Sequence, residues 1–265
     1  LSAFDTFLES LGGSYPVVLK PCCGQRGQGV AIIRSRAEAR RYLEVDRGDV
    51  LAQEFVGGLE YGLFYARVPG ESEGRILSIT EKILPVVVGD GERTLERLIL
   101  DDKRAVAMAP VYLHRLHPRV FDVPAAGEQV QLTDIGNHCR GAVFRDGARL
   151  RTPELDDKLE RISRRFDGFY FGRYDVRAAS DEALQRGEFK ILELNGVTGE
   201  CTHIYDERHT FRYAVGQLCR QWSLAFRIGE ANRRAGVQPM GLRALVRAWR
   251  SFEEPEPVED LAGAA

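Results

Sequence analysis

The chain has 265 residues, a formal net charge of −2 and 44% hydrophobic residues. That is ordinary globular composition, with length for more than one average domain and for a sizeable core. The near-neutral balance, with no basic stripe interleaved with aromatics, argues against nucleic acid as the main partner. The longest apolar stretches, such as Ile83-Leu84-Pro85-Val86-Val87-Val88, are too short to span a membrane.

The chain begins at Leu1 and enters a helix-like segment at once, so it reads as a piece of something longer. That helix runs to Gly12-Gly13. Tyr15 to Lys20 is an apolar, β-branched strand bounded by Pro21. The glycine-rich loop Cys22-Cys23-Gly24-Gln25-Arg26-Gly27-Gln28-Gly29 leads to a second strand, Val30 to Arg34, after which Ser35 caps a helix to about Glu44. Val50 to Phe55 is a strand broken by Gly57-Gly58. Tyr61 to Val68 and Arg75 to Val88 read as paired strands around a polar hairpin at 69–74. Thr94 caps a helix through Leu100, residues 101–118 are mostly helical, and short strands fall at Val130 to Leu132 and Ala142 to Phe144. Pro153 to Phe166 is an amphipathic helix with Leu155, Leu159, Ile162 and Phe166 on one face. Phe211 to Ala235 is a long helix with Leu218, Trp222, Ala225 and Phe226 inward. Leu242 to Trp249 is a basic helix, and the acidic, proline-containing end from Glu253 has the composition of a disordered tail. Strands and helices mix without strict alternation, which predicts an α+β fold with mainly antiparallel sheets.

The five cysteines, Cys22, Cys23, Cys139, Cys201 and Cys219, form no C-x-x-C pair and fit reduced thiols in a cytoplasmic protein. No signal-peptide pattern is visible. His114 and His117 lack a third soft ligand nearby, so no zinc site is expected.

Three places carry chemistry. Lys20 stands at a strand end beside a loop whose glycines let backbone N–H groups approach a phosphate. A glycine-rich hairpin without a ligand is equally consistent with that loop, which matches neither the Walker nor the dinucleotide fingerprint. The strand end Gln53-Glu54-Phe55-Val56 with Glu60 can offer backbone groups to a purine and a carboxylate to ribose hydroxyls, although a lone loop glutamate is often only solvated. Gly172-Arg173-Tyr174-Asp175 and Glu193-Leu194-Asn195 end two apolar runs. If those runs pair, Asp175, Glu193 and Asn195 meet on one face, because strand residues i and i+2 point the same way. Three hard oxygen donors beside an arginine suit Mg²⁺ holding nucleotide phosphates; polar strand ends in a turn-rich hairpin are the alternative.

Taken in order, Val18-Leu19-Lys20-Pro21, the glycine loop, Gln53-Glu54-Phe55-Val56 with Glu60, Gly172-Arg173-Tyr174-Asp175, and Glu193-Leu194-Asn195 with Gly199 resemble the ATP-grasp superfamily. The likeness is to its carboxylate–amine ligases: D-alanine–D-alanine ligase, glutathione synthetase and cyanophycin synthetase. Glu81-Lys82 through Val88-Gly89-Asp90-Gly91-Glu92-Arg93-Thr94-Leu95, and Val123-Pro124 with Gly127-Glu128, Val130, Asn137 and Gly141, resemble the cyanophycin synthetase and fused glutathione synthetase branch.

The resemblance implies an ATP-grasp fold of two α+β lobes with ATP between them: a small lobe at 1–56, a large lobe at 57–235, and a C-terminal helix and tail at 236–265. It implies Lys20 and Lys82 on phosphates under a loop closing through Gly24, Gly27 and Gly29. Glu54 and the backbone of Val56 would read adenine, and Glu60 the ribose. Asp175, Glu193 and Asn195 would hold two Mg²⁺ ions, with Mn²⁺ as a substitute. Arg173 would lie on the transferred phosphoryl and acyl oxygens, and the N–H of Gly199 would stabilise an oxyanion. The implied activity is ATP-dependent amide or peptide bond formation through an acyl phosphate, releasing ADP and phosphate. The substrates would be a small carboxylate and an amine of amino-acid-like character, on a core fused to or packed on another domain. A non-catalytic ATP-binding regulatory module is the alternative. Cys201 and His203 need not form a nucleophilic pair in such chemistry. Thr198 replaces the proline many relatives carry, and the run from Gly199 to Asp206 is unlike theirs, which points to this stretch as the place where substrate choice differs.

Overall fold

The computed structural model describes residues 2–22, 27–45, 48–134, 136–137 and 140–250. Gly24, part of the glycine-loop expectation, and the acidic tail lie outside the described residues. In chain order the elements are α1 (Ser2–Ser10), β1 (Val17–Pro21), β2 (Ala31–Ile33), α2 (Arg36–Glu44), β3 (Val50–Glu54), β4 (Leu59–Ala66), β5 (Arg75–Ile83) and β6 (Val86–Val88). There follow α3 (Leu95–Asp101), α4 (Ala109–Leu116), β7 (Gln129–Gln131), β8 (Val143–Asp146), α5 (Pro153–Ser163), β9 (Phe171–Ala178) and α6 (Asp181–Gln185). The last are β10 (Lys190–Asn195), a 3₁₀ turn (Thr202–Tyr205), α7 (Phe211–Arg234) and α8 (Leu242–Arg250). Among the described residues all sheet pairings are antiparallel, so the expected α+β class with antiparallel sheets is the one observed.

The described residues divide into two compact units, one within 2–55, 84–142 and 248–250, the other within 56–83 and 143–247. In the first, a sheet of order β2-β1-β3 places Val17 and Leu19 against Phe4, Ile33, Ala39 and Tyr42. The Ser35 and Thr94 side chains cap α2 and α3 as expected, accepting from the backbone N–H of Glu38 and Arg97. The same unit contains a second core in which β6 and β7 pack on α3 and α4 through Val87, Val130, Leu95, Ile99 and Tyr112.

The expected continuous strand from Arg75 to Val88 is broken. β5 ends at Ile83, and β6 pairs with β7 in a different sheet. Pro85 has no N–H to give a ladder. Its carbonyl instead accepts from Leu132 N–H at 2.9 Å, which starts the new pairing.

The second unit is organised by a five-stranded sheet of order β10-β9-β4-β5-β8. One face carries Tyr61, Leu63, Ile79, Tyr174 and Val176, covered by Leu155 and Leu159 of α5 and Leu184 of α6. The opposite face has an apolar end, where Phe64, Ala66 and Phe171 meet Cys201 and Ile228. Its other end, where Glu60 pairs with Arg177, is charged.

α7 turns inward only part of the face expected: Ala225 packs on the core and Leu218 is half-buried, but Trp222 and Phe226 face out. Gln221 and Ile228 are buried, and Leu224 and Ala225 pack on the core. Trp222 is 44% and Phe226 75% exposed, because a 24-residue helix with apolar residues on two sides can bury only the side that meets the sheet. α5 likewise stops at Ser163, leaving Phe166 exposed. Ile228→Ala is therefore expected to cost ~2–5 kcal/mol of folding stability, while Phe226→Ser stays within ~0.5 kcal/mol. Urea midpoints at equal slope measure both.

Candidate active site

The charged end of the sheet follows from strand alternation. On β9, Arg173, Asp175 and Arg177 share one face; Glu60 and Gly62 of β4, and Thr80 and Lys82 of β5, lie on the same face through the registers Gly62↔Asp175 and Glu60↔Lys82. β10 adds Glu193 and Asn195 opposite Asp175 and Arg173. They reach this face through an irregularity. Ile191 pairs with Val176 on the core side, and Glu193 pairs with Asp175, so Leu192 is an extra residue between them. This bulge reverses the faces of the residues that follow it.

The side chains form an alternating chain of ions. Lys82 Nζ lies 3.0 Å from Glu60 Oε1 and 3.0 Å from Asp175 Oδ2. Arg173 donates to Asp175 through Nε at 2.9 Å and Nη2 at 3.3 Å, and through Nη1 to the carbonyl of Glu200 at 3.0 Å. Arg177 donates through Nη2 to Glu60 Oε2 at 3.0 Å and through Nη1 to the carbonyl of Val56 at 2.7 Å. Asn195 Nδ2 donates to Asp175 and to Glu193 at 3.2 Å each. Lys82 and Asp175 side chains are 5% and 4% exposed, so neither ion is shielded by bulk water.

Burial pushes the Asp175 carboxyl upward, but the charges of Lys82 and Arg173 outweigh it and hold its pKa down at about 2. Glu193 moves the other way. Its outer edge reaches solvent, yet the chain crowding its carboxyl raises the pKa, and the adjacent Asp175 adds to the rise. Two carboxylates that repel each other beside an amide are a hard-oxygen donor set that a divalent cation relieves, so these residues fit Mg²⁺. Among the described residues no third acid, His or Cys joins them, and Asn195 is the remaining donor.

Glycines make this crowding feasible. A Cβ on Gly62 would stand 3.2 Å from Arg173 Cδ and 3.5 Å from Asp175 Oδ1, and one on Gly172 would stand 2.6 Å from the Asn195 carbonyl. Gly199 donates its N–H to the carbonyl of Gly196 at 2.9 Å, so this donor is used in the turn. Gln221 of α7 pins that turn, accepting from Cys201 N–H and donating to the Gly199 carbonyl, both at 2.9 Å.

Of the residues singled out in the sequence, Glu60, Lys82, Arg173, Asp175, Glu193 and Asn195 converge, with Val56 tied to them by Arg177. Lys20, Gly27, Gly29 and Glu54 belong to the other compact unit. There Lys20 stands on β1 opposite Leu51, Glu54 is exposed at the end of β3, and Gly27 and Gly29 turn at φ 72° and 70°. Arg177, Gly62 and Gln221 were not singled out. Arg177 was legible, since it repeats the period of two set by Arg173 and Asp175. Gly62 and Gln221 leave no local signal. Cys201 is buried beside Phe64, Ala66, Phe171 and Ile228, and that burial pushes its thiol up to about 11. His203 is buried, which lowers its pKa, with its ring 6.1 Å from that of His209 and 6.0 Å from that of Tyr213.

No protein-family model matches the chain. A stretch of 103 residues is 28% identical to the cyanophycin synthetase of Trichormus variabilis, covering 37% of this chain and 11% of that protein. The cyanophycin synthetase of Crocosphaera subtropica is 28% identical over 101 residues, covering 36% and 11%. The matched stretch is thus about a tenth of the length of these relatives. Among solved structures, a bifunctional glutathione synthetase from Pasteurella multocida matches at 18% identity over 83% of this chain and 32% of its own, with a TM-score of 0.43. The D-alanine–D-alanine ligase from Bacillus anthracis matches at 14% identity over 88% and 57%, with a TM-score of 0.44. These superpositions are partial. The similarity to cyanophycin synthetase agrees with the resemblance to ATP-grasp carboxylate–amine ligases carried by the motifs. No described helix is long and apolar enough to cross a membrane.

Asp175→Asn removes the charge that Lys82 and Arg173 share, and leaving buried cations without their partner is expected to cost ~3–5 kcal/mol, read from urea unfolding at pH 7. In native protein at pH 8, iodoacetamide is expected to label the exposed Cys22 and Cys219 and to spare Cys201 until denaturant is added, as peptide mass spectrometry would show.

Proposed function

We propose that the chain is the core of an ATP-dependent ligase that joins a carboxylate to an amine. The observation that carries this reading is the Lys82–Asp175–Arg173 bracket with Glu193 and Asn195 beside it, a charge-neutralised group of oxygen donors and cations on one sheet face. A carboxylate is a poor electrophile because its oxygen is a poor leaving group. One of its oxygens would attack the γ-phosphorus of ATP, and ADP leaves. The amine then attacks the acyl carbon of the resulting acyl phosphate, phosphate leaves, and the nitrogen loses a proton to give the amide. Phosphoryl transfer needs mostly positioning and positive charge, and no side-chain nucleophile.

In this reading Arg173 lies against the transferred phosphoryl and acyl oxygens, held in place by Asp175 and the Glu200 carbonyl. Lys82 contacts phosphate. Asp175, Glu193 and Asn195 hold Mg²⁺, which when bound neutralises phosphate charge. Glu60 keeps a role on the ribose, since a carboxylate has about four acceptor sites and Lys82 and Arg177 use only part of them. The carbonyl of Val56 is taken by Arg177, which leaves its N–H as the group to read adenine. Lys20 with the turn at Gly27 and Gly29, and Glu54, carry phosphate-binding and purine-reading roles as proposals for the first unit. Gly199 serves the oxyanion only if its turn bond to Gly196 gives way. The substrates are small and amino-acid-like, and the stretch from Glu200 to Tyr205, whose side chains share a hydrogen bond of 2.7 Å, is the proposed selector of the amine.

ADP release with pooled amino acids or small diacids tests the reading. Wild type should turn over, and Glu193→Ala should fall by about 100-fold or more, the scale seen when transition-state charge stabilisation is removed. Equal rates would refute the metal role of Glu193. ATP binding without turnover across a broad panel would instead mark a regulatory module.

A further inference from the structure

Arg177 has been assigned no role of its own above, yet it joins two parts of the site. Its side chain is 11% exposed and its guanidinium works in two directions at once. Nη1 holds the Val56 carbonyl at 2.7 Å, while Nε at 3.3 Å and Nη2 at 3.0 Å hold Glu60 Oε2. Glu60 continues to Lys82, and Lys82 to Asp175. Beside the Val56 end lies a shallow, open depression whose lining includes Val56, Gly57, Gly58, Arg177, Glu188 and Phe189. Two glycines expose the backbone along one wall, and Phe189 offers a ring, which is the chemistry of a site for a flat heteroaromatic base. Gly58 is seated tightly, since a Cβ there would stand 2.3 Å from the Ala178 carbonyl.

We propose that Arg177 is a positioning residue for the nucleotide. It fixes the Val56–Gly58 backbone that reads the base to the ion network that receives the phosphates, so that base and phosphates are held in one register. The inference rests on the ATP reading above. Lysine cannot replace it, because a single ammonium has no planar fork to reach a carbonyl and a carboxylate together.

The test compares Arg177→Lys and Arg177→Gln with wild type, using a non-hydrolysable ATP analogue and inorganic tripolyphosphate as probes in calorimetry, together with steady-state kinetics. Both variants should weaken the ATP analogue by about tenfold or more, the size of one lost charge-assisted hydrogen bond. Tripolyphosphate, which has no base, should bind within about twofold of wild type, and the kinetic loss should fall on KM for ATP more than on kcat. Arg177→Lys keeps the charge and is read alone if Arg177→Gln does not fold. Equal weakening of both probes, or unchanged affinity for the analogue, overturns the inference while leaving the ATP reading intact. Wild type that binds neither probe overturns both.

Discussion

The second unit depends on Asp175 being held between Lys82 and Arg173. An ion buried to this degree costs several kcal/mol unless its charge is met, and here Glu60, Asp175 and Lys82 each face two opposite charges. Glu60 and Asp175 share Lys82, Arg173 and Arg177 cap the two ends, and Asn195 links Asp175 to Glu193. Three cations and three acids sum to neutrality, so the sheet can carry them without an apolar cover. The arrangement also explains the small residues around it: a side chain at Gly62 would push on Arg173, and one at Gly172 would push on the β10 backbone.

Glu193 is the group in this set whose charge is least well met. The cations serve Asp175 first, and Glu193 sits beside it with a raised pKa. In the proposed reading, this less well met carboxylate is the one a bound cation would relieve. The bulge at Leu192 creates that pairing, because it brings Glu193 from the core side of the sheet to the charged side.

The same face passes from charge to grease within a few residues. At Phe64 and Phe171 it becomes a core that contains Cys201 and is closed by Ile228 of α7. Gln221, one helical face with Ile228, reaches from α7 to fasten the Gly199–Cys201 turn, and Thr202 meets Thr80 at 3.0 Å. The stretch that follows Asn195 is therefore fastened at Gly199, Cys201 and Thr202 by hydrogen bonds, with Glu200 half-buried and Tyr205 exposed.

Much of this was legible residue by residue. The alternation in Arg173, Asp175 and Arg177 marks one strand face, the capping serine and threonine mark helix starts, and the motif order carries the family resemblance. Local pattern determines which side chains share a strand or helix face, because φ/ψ geometry sets those periods without reference to distant chain. It could not determine that Pro85 hands the chain to another sheet, which of the two apolar sides of α7 is buried, or that one extra residue at Leu192 sends Glu193 to Asp175. Those depend on which strand or helix lies alongside, a matter of packing between residues far apart in sequence, and only the tertiary structure decided them.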